Sequence, residues 1–170
     1  ISWSTSLSQS TYQVLFLCTG NSARSQMAEA LLNVMGKGRF RAHSAGSHPA
    51  GMVQPMAAEL IAELGYPVAG LRSKSWHEFA TRDDPEIDIV ITVCDNAAGE
   101  VCPVWPGLPA VAHWGVEDPR PGDPQSFKQA WVTLRRRIEL LLALPMEKLD
   151  RLGREHHLRQ IAPDTSTFRD

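Results

Sequence analysis

The stretch Tyr12–Met35 reads YQVLFLCTGNSARSQMAEALLNVM, and its two halves carry different periods. Tyr12–Cys18 is a short apolar run that stops at Thr19-Gly20, as a buried strand does. From Ser22 to Met35, Ala23, Met27, Ala30, Leu31 and Val34 recur at helical spacing. The expected order is therefore strand, tight turn, helix.

Outward from that unit the alternation continues. Phe40–Ala45 reads as a second strand, and Val53–Leu64 as a helix closed by Gly65. Ile87–Val93 is β-branched and nearly continuous, as a parallel strand buried on both faces should be. Ala110–Trp114 is a weaker fourth strand. Helical spacing returns at Phe127, Ala130, Trp131, Leu134, Ile138 and Leu141, with the run Arg135–Arg137 mostly on or beside the solvent face and read as plain solvation. Strands alternating with helices predict a single-domain α/β fold, an open parallel four-stranded sheet with helices on both faces. Ligands of such sheets bind at the carboxyl ends of the strands, which Cys18, Cys94 and Asp118 all follow.

The domain is expected over residues 12–145. Pro145 ends the last amphipathic run, and 146–170 turns polar, giving a short helix and a loose tail of the same domain. Residues 1–11 begin ISWSTSLSQS, without the charged and apolar regions of a secretory signal and without an initiator Met. They are expected to be disordered or expression-derived, and the protein cytoplasmic. Seventeen Lys and Arg against nineteen Asp and Glu leave a net charge of −2, which supplies no basic field for nucleic acid or an anionic membrane. No apolar run is long enough to cross a bilayer. The six His show no ligand spacing, so no metal is expected, and a monomer is expected.

The segment Cys18-Thr19-Gly20-Asn21-Ser22-Ala23-Arg24-Ser25 has the form C-x5-R-S between a strand and a helix. A loop wrapping onto a helix N-terminus turns its backbone N–H groups toward a tetrahedral oxyanion, and the same field lowers the pKa of a thiol placed there. Cys18 is thus the candidate nucleophile. Arg24 supplies a planar fork for two oxygens of the anion. Gly20 and Asn21 suit positive φ, the Asn21 side chain can tie the loop together, and Ser25 can donate to the Cys18 sulfur. Three Cys do not make a disulfide framework, so the thiols are reactive, metal-binding or simply buried. Cys94 and Cys102 lie eight positions apart directly after the Ile87–Val93 strand, where Ala97, Ala98 and Gly99 would let Cys94 meet either Cys18 or Cys102.

CTGNSARSQMAEA resembles the active-site loop of the low-molecular-weight tyrosine phosphatase superfamily. Gln26, standing where Pro usually follows in phosphatases, resembles its arsenate reductase branch. The resemblance continues through HSAG at His43–Gly46, the Cys94 region and HWGVEDP at His113–Pro119, roughly residues 12–145. It implies a relay: Cys18 attacks arsenate, Cys94 attacks the adduct and releases arsenite, and Cys102 takes the disulfide from Cys94. The resulting Cys94–Cys102 bridge would be reduced by thioredoxin, although some relatives use glutathione and glutaredoxin. Phosphate or sulfate would be analogues of the substrate, and arsenical detoxification the setting. Asp118 would be the proton donor, with Glu117 its adjacent competitor; Pro119 restricts the backbone of Asp118.

Some relatives hold potassium beside this loop, with an Asn and a Glu that match Asn21 and Glu29 and with oxygens from a later segment that here reads Leu71-Arg72-Ser73-Lys74-Ser75. Lys74 falls about where an acidic ligand would sit; it reads equally as a built-in ammonium that replaces the metal charge, with no potassium requirement, and as a solvated surface residue. Two other readings are weighed. A tyrosine phosphatase of the same fold needs only Cys18, Arg24 and Asp118. A thiolate protein that binds arsenite or a soft metal would use the three Cys alone.

Overall fold

The computed structural model describes residues 11–80, 86–93, 105 and 107–162. In chain order they form β1 (Tyr12–Cys18), α1 (Arg24–Met35), β2 (Phe40–Gly46), α2 (Pro55–Leu64), the short α3 (His77–Ala80), β3 (Ile89–Thr92), β4 (Ala110–His113), α4 (Pro124–Leu142), a 3-10 turn (Met146–Lys148) and α5 (Arg151–Ile161). The strands make one parallel sheet in the order β2-β1-β3-β4. The chain steps from β1 outward to β2 and then returns to the other side of β1 as β3. The C-terminal end of β1, where Cys18 stands, is therefore the topological switch point of the sheet, the place where open α/β folds leave a crevice.

Side chains of β1 alternate between two cores, as the twofold period of a strand requires. Val14, Phe16 and Cys18 join the larger core, which gathers buried residues of α1, α2, α4 and α5, among them Met27, Leu31, Ile61, Leu134, Ile138 and Leu158. Leu15 and Leu17 join Ala45, Trp76, Phe79, Ile87, Val90 and Trp105 on the opposite face. Because both faces are covered, the strand reads as continuous apolar sequence rather than as an alternation.

Element boundaries differ from the sequence expectation by one or two residues, each for a local reason. Helix α1 opens at Arg24 rather than Ser22 because Ser22 still belongs to the loop, its carbonyl accepting Gln54 N–H. Helix α2 opens at Pro55, a first-turn proline that holds Gln54 extended at φ −63°, ψ 136°. The expected strand Ile87–Val93 shortens to Ile89–Thr92, while Asp88 and Val93 still donate their N–H groups to Gln13 O and Leu17 O.

The polar C-terminal segment contributes α5, which starts under the Asp150 cap and lies along β4. Leu158 is fully buried there, and its carbonyl accepts Trp114 Nε1–H at 2.9 Å. No helix of the described residues is long and apolar enough to cross a membrane.

Candidate active site

The Cys18–Ser25 loop is fastened from outside by its carbonyls. Cys18 O accepts Ser47 N–H, Thr19 O accepts His48 N–H, Gly20 O accepts Ala50 N–H and Ser22 O accepts Gln54 N–H. Asn21 O accepts Gln26 Nε2–H and Gly20 O also accepts Ser73 Oγ–H. In a planar trans peptide the C=O and the next N–H point in opposite directions. Carbonyls held outward therefore turn the N–H groups of residues 19 to 23 inward, and Asn21 N–H does point at Cys18 Sγ, 3.2 Å away. Ala23 at the N-cap of α1 offers no side-chain cap, so the helix brings its unsatisfied first-turn N–H groups to the same cradle.

Cys18 is buried, and its sulfur lies 2.9 Å from Ser25 Oγ. Ser25 Oγ accepts Asn21 Nδ2–H at 2.8 Å and keeps its own proton free to donate to a thiolate sulfur. Two donors on one sulfur favour the thiolate. Asn21 takes the left-handed conformation at φ 48°, the backbone state that Asn tolerates better than most residues. Gly20 does not share it, and a Cβ there would meet only ordinary contacts at 3.5 Å and beyond, which corrects the expectation that both residues supply positive φ. The glycine that the loop does need is Gly46 on β2. A Cβ at Gly46 would stand 2.5 Å from Thr19 O and 3.0 Å from Cys18 O and Asn21 N.

The segment 71–75 backs the cradle. Lys74 N–H donates to Asn21 Oδ1, Gly46 N–H donates to Lys74 O, and Lys74 Nζ donates to Arg72 O at 2.9 Å. Gln26 is fully buried and spans loop and backing, donating from Nε2 to both Asn21 O and Arg72 O. A proline at that position has no amide to do this. Below it Glu29 accepts Ser44 Oγ–H at 2.6 Å. Burial raises the Glu29 pKa, with Ser44 and the Lys74 charge pulling it back, and burial lowers that of Lys74, with the Glu29 charge opposing.

Arg24 projects from the first turn of α1 toward the 114–118 loop. Its Nη1 donates to Val116 O at 2.8 Å and its Nη2 stands 3.3 Å from Asp118 Oδ1. Arg24 is mostly buried, whereas Asp118 is 79% exposed and accessible to a ligand. Glu117 turns away to Arg120 at 3.5 Å, so of the two adjacent carboxylates it is Asp118, the one that Pro119 restricts, that meets Arg24. Trp114 N–H and Val116 N–H extend the β3 edge by donating to Thr92 O and Val93 O.

Cys94 and Cys102 lie outside the described residues. Val93, the described residue before Cys94, donates its N–H to Leu17 O, one position short of Cys18. Among the described residues no group of His, Cys, Asp and Glu is arranged to hold a metal ion. Two contributors escaped the sequence reading. Gly46 had a signal, as the last residue of HSAG. Arg137 had none: grouped with a solvated run, it is half-buried, and its Nη1 donates to Trp114 O at 2.9 Å and Gly115 O at 2.8 Å, while Arg135 and Arg136 are exposed.

The family model described as low molecular weight phosphotyrosine protein phosphatase matches residues 13–156. The chain belongs to this family. Within it, the chain is 33% identical to an arsenate reductase of Halalkalibacterium halodurans, over 72% of this chain and 84% of that one. A glutaredoxin arsenate reductase of a Synechocystis species is 30% identical over 77% of this chain and 96% of its own length. The crystal structure of an arsenate reductase from Archaeoglobus fulgidus superposes with a TM-score of 0.63 at 34% identity, covering 77% of this chain and 99% of that one. The open parallel sheet expected from the sequence is the fold of this family.

Proposed function

We propose that this protein reduces arsenate to arsenite by a three-thiol relay. The observation that carries the reading is Cys18 Sγ held by Asn21 N–H and Ser25 Oγ inside a ring of inward backbone amides, with the chain entering Cys94 from Val93, which is bonded to Leu17. The 28–34% identities to proteins named arsenate reductases support the same substrate.

The Cys18 thiolate attacks arsenic(V) of arsenate, whose oxygens are taken by the loop amides and by Arg24. Asp118 protonates the departing oxygen, which leaves as water. Cys94 then attacks Cys18 Sγ; the S–As bond breaks with its electron pair staying on arsenic, so arsenite departs as the two sulfurs are oxidised to a disulfide. Cys102 attacks Cys94 and releases the Cys18 thiolate. The Cys94–Cys102 disulfide accepts two electrons from an external dithiol, thioredoxin in this reading. No bound cofactor takes part. Lys74, with Asn21, Gln26 and Glu29 around it, acts as the fixed cation behind the loop, so added potassium is expected to change kcat/KM by less than about twofold.

The test is NADPH oxidation driven by arsenate, with thioredoxin and its reductase in one arm and glutathione with glutaredoxin in the other. Cys18→Ser, Cys94→Ser and Cys102→Ser should each abolish turnover with thioredoxin. Turnover that survives Cys102→Ser only in the glutathione arm reassigns the reductant. The phosphatase reading is favoured by the family description and shares the Arg24–Asp118 pair with the reductase. It wins if arsenate is not reduced while an aryl phosphate is hydrolysed with a dependence on Cys18 but not on Cys94.

A further inference from the structure

Four elements converge on the loop that carries Asp118, and Arg137 is the member without a function so far. A half-buried guanidinium normally has a carboxylate against it, because removing the charge from water is costly. Arg137 has no ion pair among the described residues, and burial alone displaces its pKa, downward. Its inward-facing Nη1 is spent on two consecutive backbone carbonyls, Trp114 O and Gly115 O. The next carbonyl, Val116 O, accepts Arg24 Nη1–H from the opposite helix. Two arginines, one on α4 and one on α1, thus hold three successive peptide groups directly ahead of Glu117 and Asp118. The amides of the same stretch are fixed to Thr92 O and Val93 O at the end of β3.

We infer that Arg137 is a positioning residue for the reaction: by holding the Trp114 and Gly115 carbonyls it sets the course of the loop so that Asp118 meets Arg24 at the mouth of the cradle. This rests on Asp118 being the proton donor. Arg137 reaches the chemistry only through the loop. Its side chain also borders a cavity of about 550 Å³ lined by Lys128, Gln129 and Thr133, so loss of the guanidinium would admit water to the two carbonyls rather than strand them. The loop would keep its solvation and lose its direction, and a misplacement on the ångström scale is enough to slow proton transfer by about one to two orders of magnitude.

Arg137→Met keeps the aliphatic stem and removes the donors, and Arg137→Lys keeps a charged donor without the fork. Each is compared alone and combined with Asp118→Asn, by turnover of arsenate with thioredoxin, by hydrolysis of phenyl phosphate, and by hydrogen exchange of the Trp114 and Val116 amides. Arg137→Met should lower kcat about tenfold with KM changed less than about twofold, and speed exchange of those two amides about tenfold while the β1 amides stay protected. Arg137→Lys should recover part of both. In the Asp118→Asn background Arg137→Met should cost no further rate, because the group it positions is already gone. Parent-like kcat and exchange in Arg137→Met, or a full additional loss in the double variant, would overturn the inference. Phenyl phosphate hydrolysis needs Cys18 and Asp118 but no second thiol, and the exchange readout needs no substrate. Failure of arsenate turnover therefore leaves this test standing.

Discussion

The Cys18–Ser25 loop and the Trp114–Asp118 loop meet at one mouth, but their carbonyls are held mainly by different kinds of bond. The first is contiguous in sequence and fastened mostly through backbone: the 47–54 segment takes the carbonyls of Cys18, Thr19, Gly20 and Ser22, the Gln26 side chain takes that of Asn21, and Gly46 allows the close approach. The second has its amides on Thr92 O and Val93 O, but its carbonyls go to side chains that arrive from far along the chain, Arg24 and Arg137, and its own Trp114 indole reaches Leu158 O. A cradle for a tetrahedral anion has to present several N–H groups at fixed angles, which backbone-to-backbone bonding does well. A proton donor needs one carboxyl at one distance, and a few long side chains suffice for that.

This contrast sets the size of the effects to be measured. Asp118→Asn should lower turnover about 100-fold, the usual scale for a lost general acid, while Glu117→Gln should change it less than about twofold. Equal losses in the two variants would mean that the directions seen for Arg24–Asp118 and Arg120–Glu117 do not decide the role. In the backbone-fastened region Gly46→Ala should cost about 2–3 kcal/mol, read as a fall in the thermal midpoint, since the new methyl meets carbonyl oxygens that cannot give way cheaply. It should also weaken protection of Cys18 by phosphate against alkylation. In the side-chain-fastened region Trp114→Phe should cost about 1–2 kcal/mol, because the buried Leu158 carbonyl loses its donor.

The smallest effect concerns the support under the cradle. Burial raises the folded-state pKa of Glu29, so the folded chain holds that proton more tightly than the unfolded one. The associated stability is present at acid pH and is lost as pH rises from the ordinary glutamate range through the raised folded value. Glu29→Gln should remove that slope from a plot of thermal midpoint against pH, leaving a flatter curve on the mildly acidic side. A slope unchanged from the parent would place the titrating group elsewhere.

The cradle could be read before folding because its thiol, its turn residues and the helix start that follows them are local, although the segments that fasten it are not. The end of an apolar strand, an Asn tolerant of positive φ, a Ser four positions further on and the start of a helical period all fall between Cys18 and Gln26, and one backbone path joins them. The supports of the acid loop left no such trace. Arg137 sits in a triplet whose other members face solvent, and only its bonds to the Trp114 and Gly115 carbonyls distinguish it. Leu158 looked like part of a polar tail until α5 folded back on β4 and buried it.

By itself the sequence determined the period of each strand and helix, the parallel sheet that such an alternation builds, and the Cys18–Ser25 loop at its switch point. These follow from interactions between neighbours along the chain, which a linear string records. The tertiary structure decided which carboxylate faces Arg24, which glycine the loop cannot lose and which arginine holds the acid loop. Those choices depend on contacts across more than twenty residues of chain, fixed only when helices settle on a sheet and bring buried donors to acceptors far away in sequence.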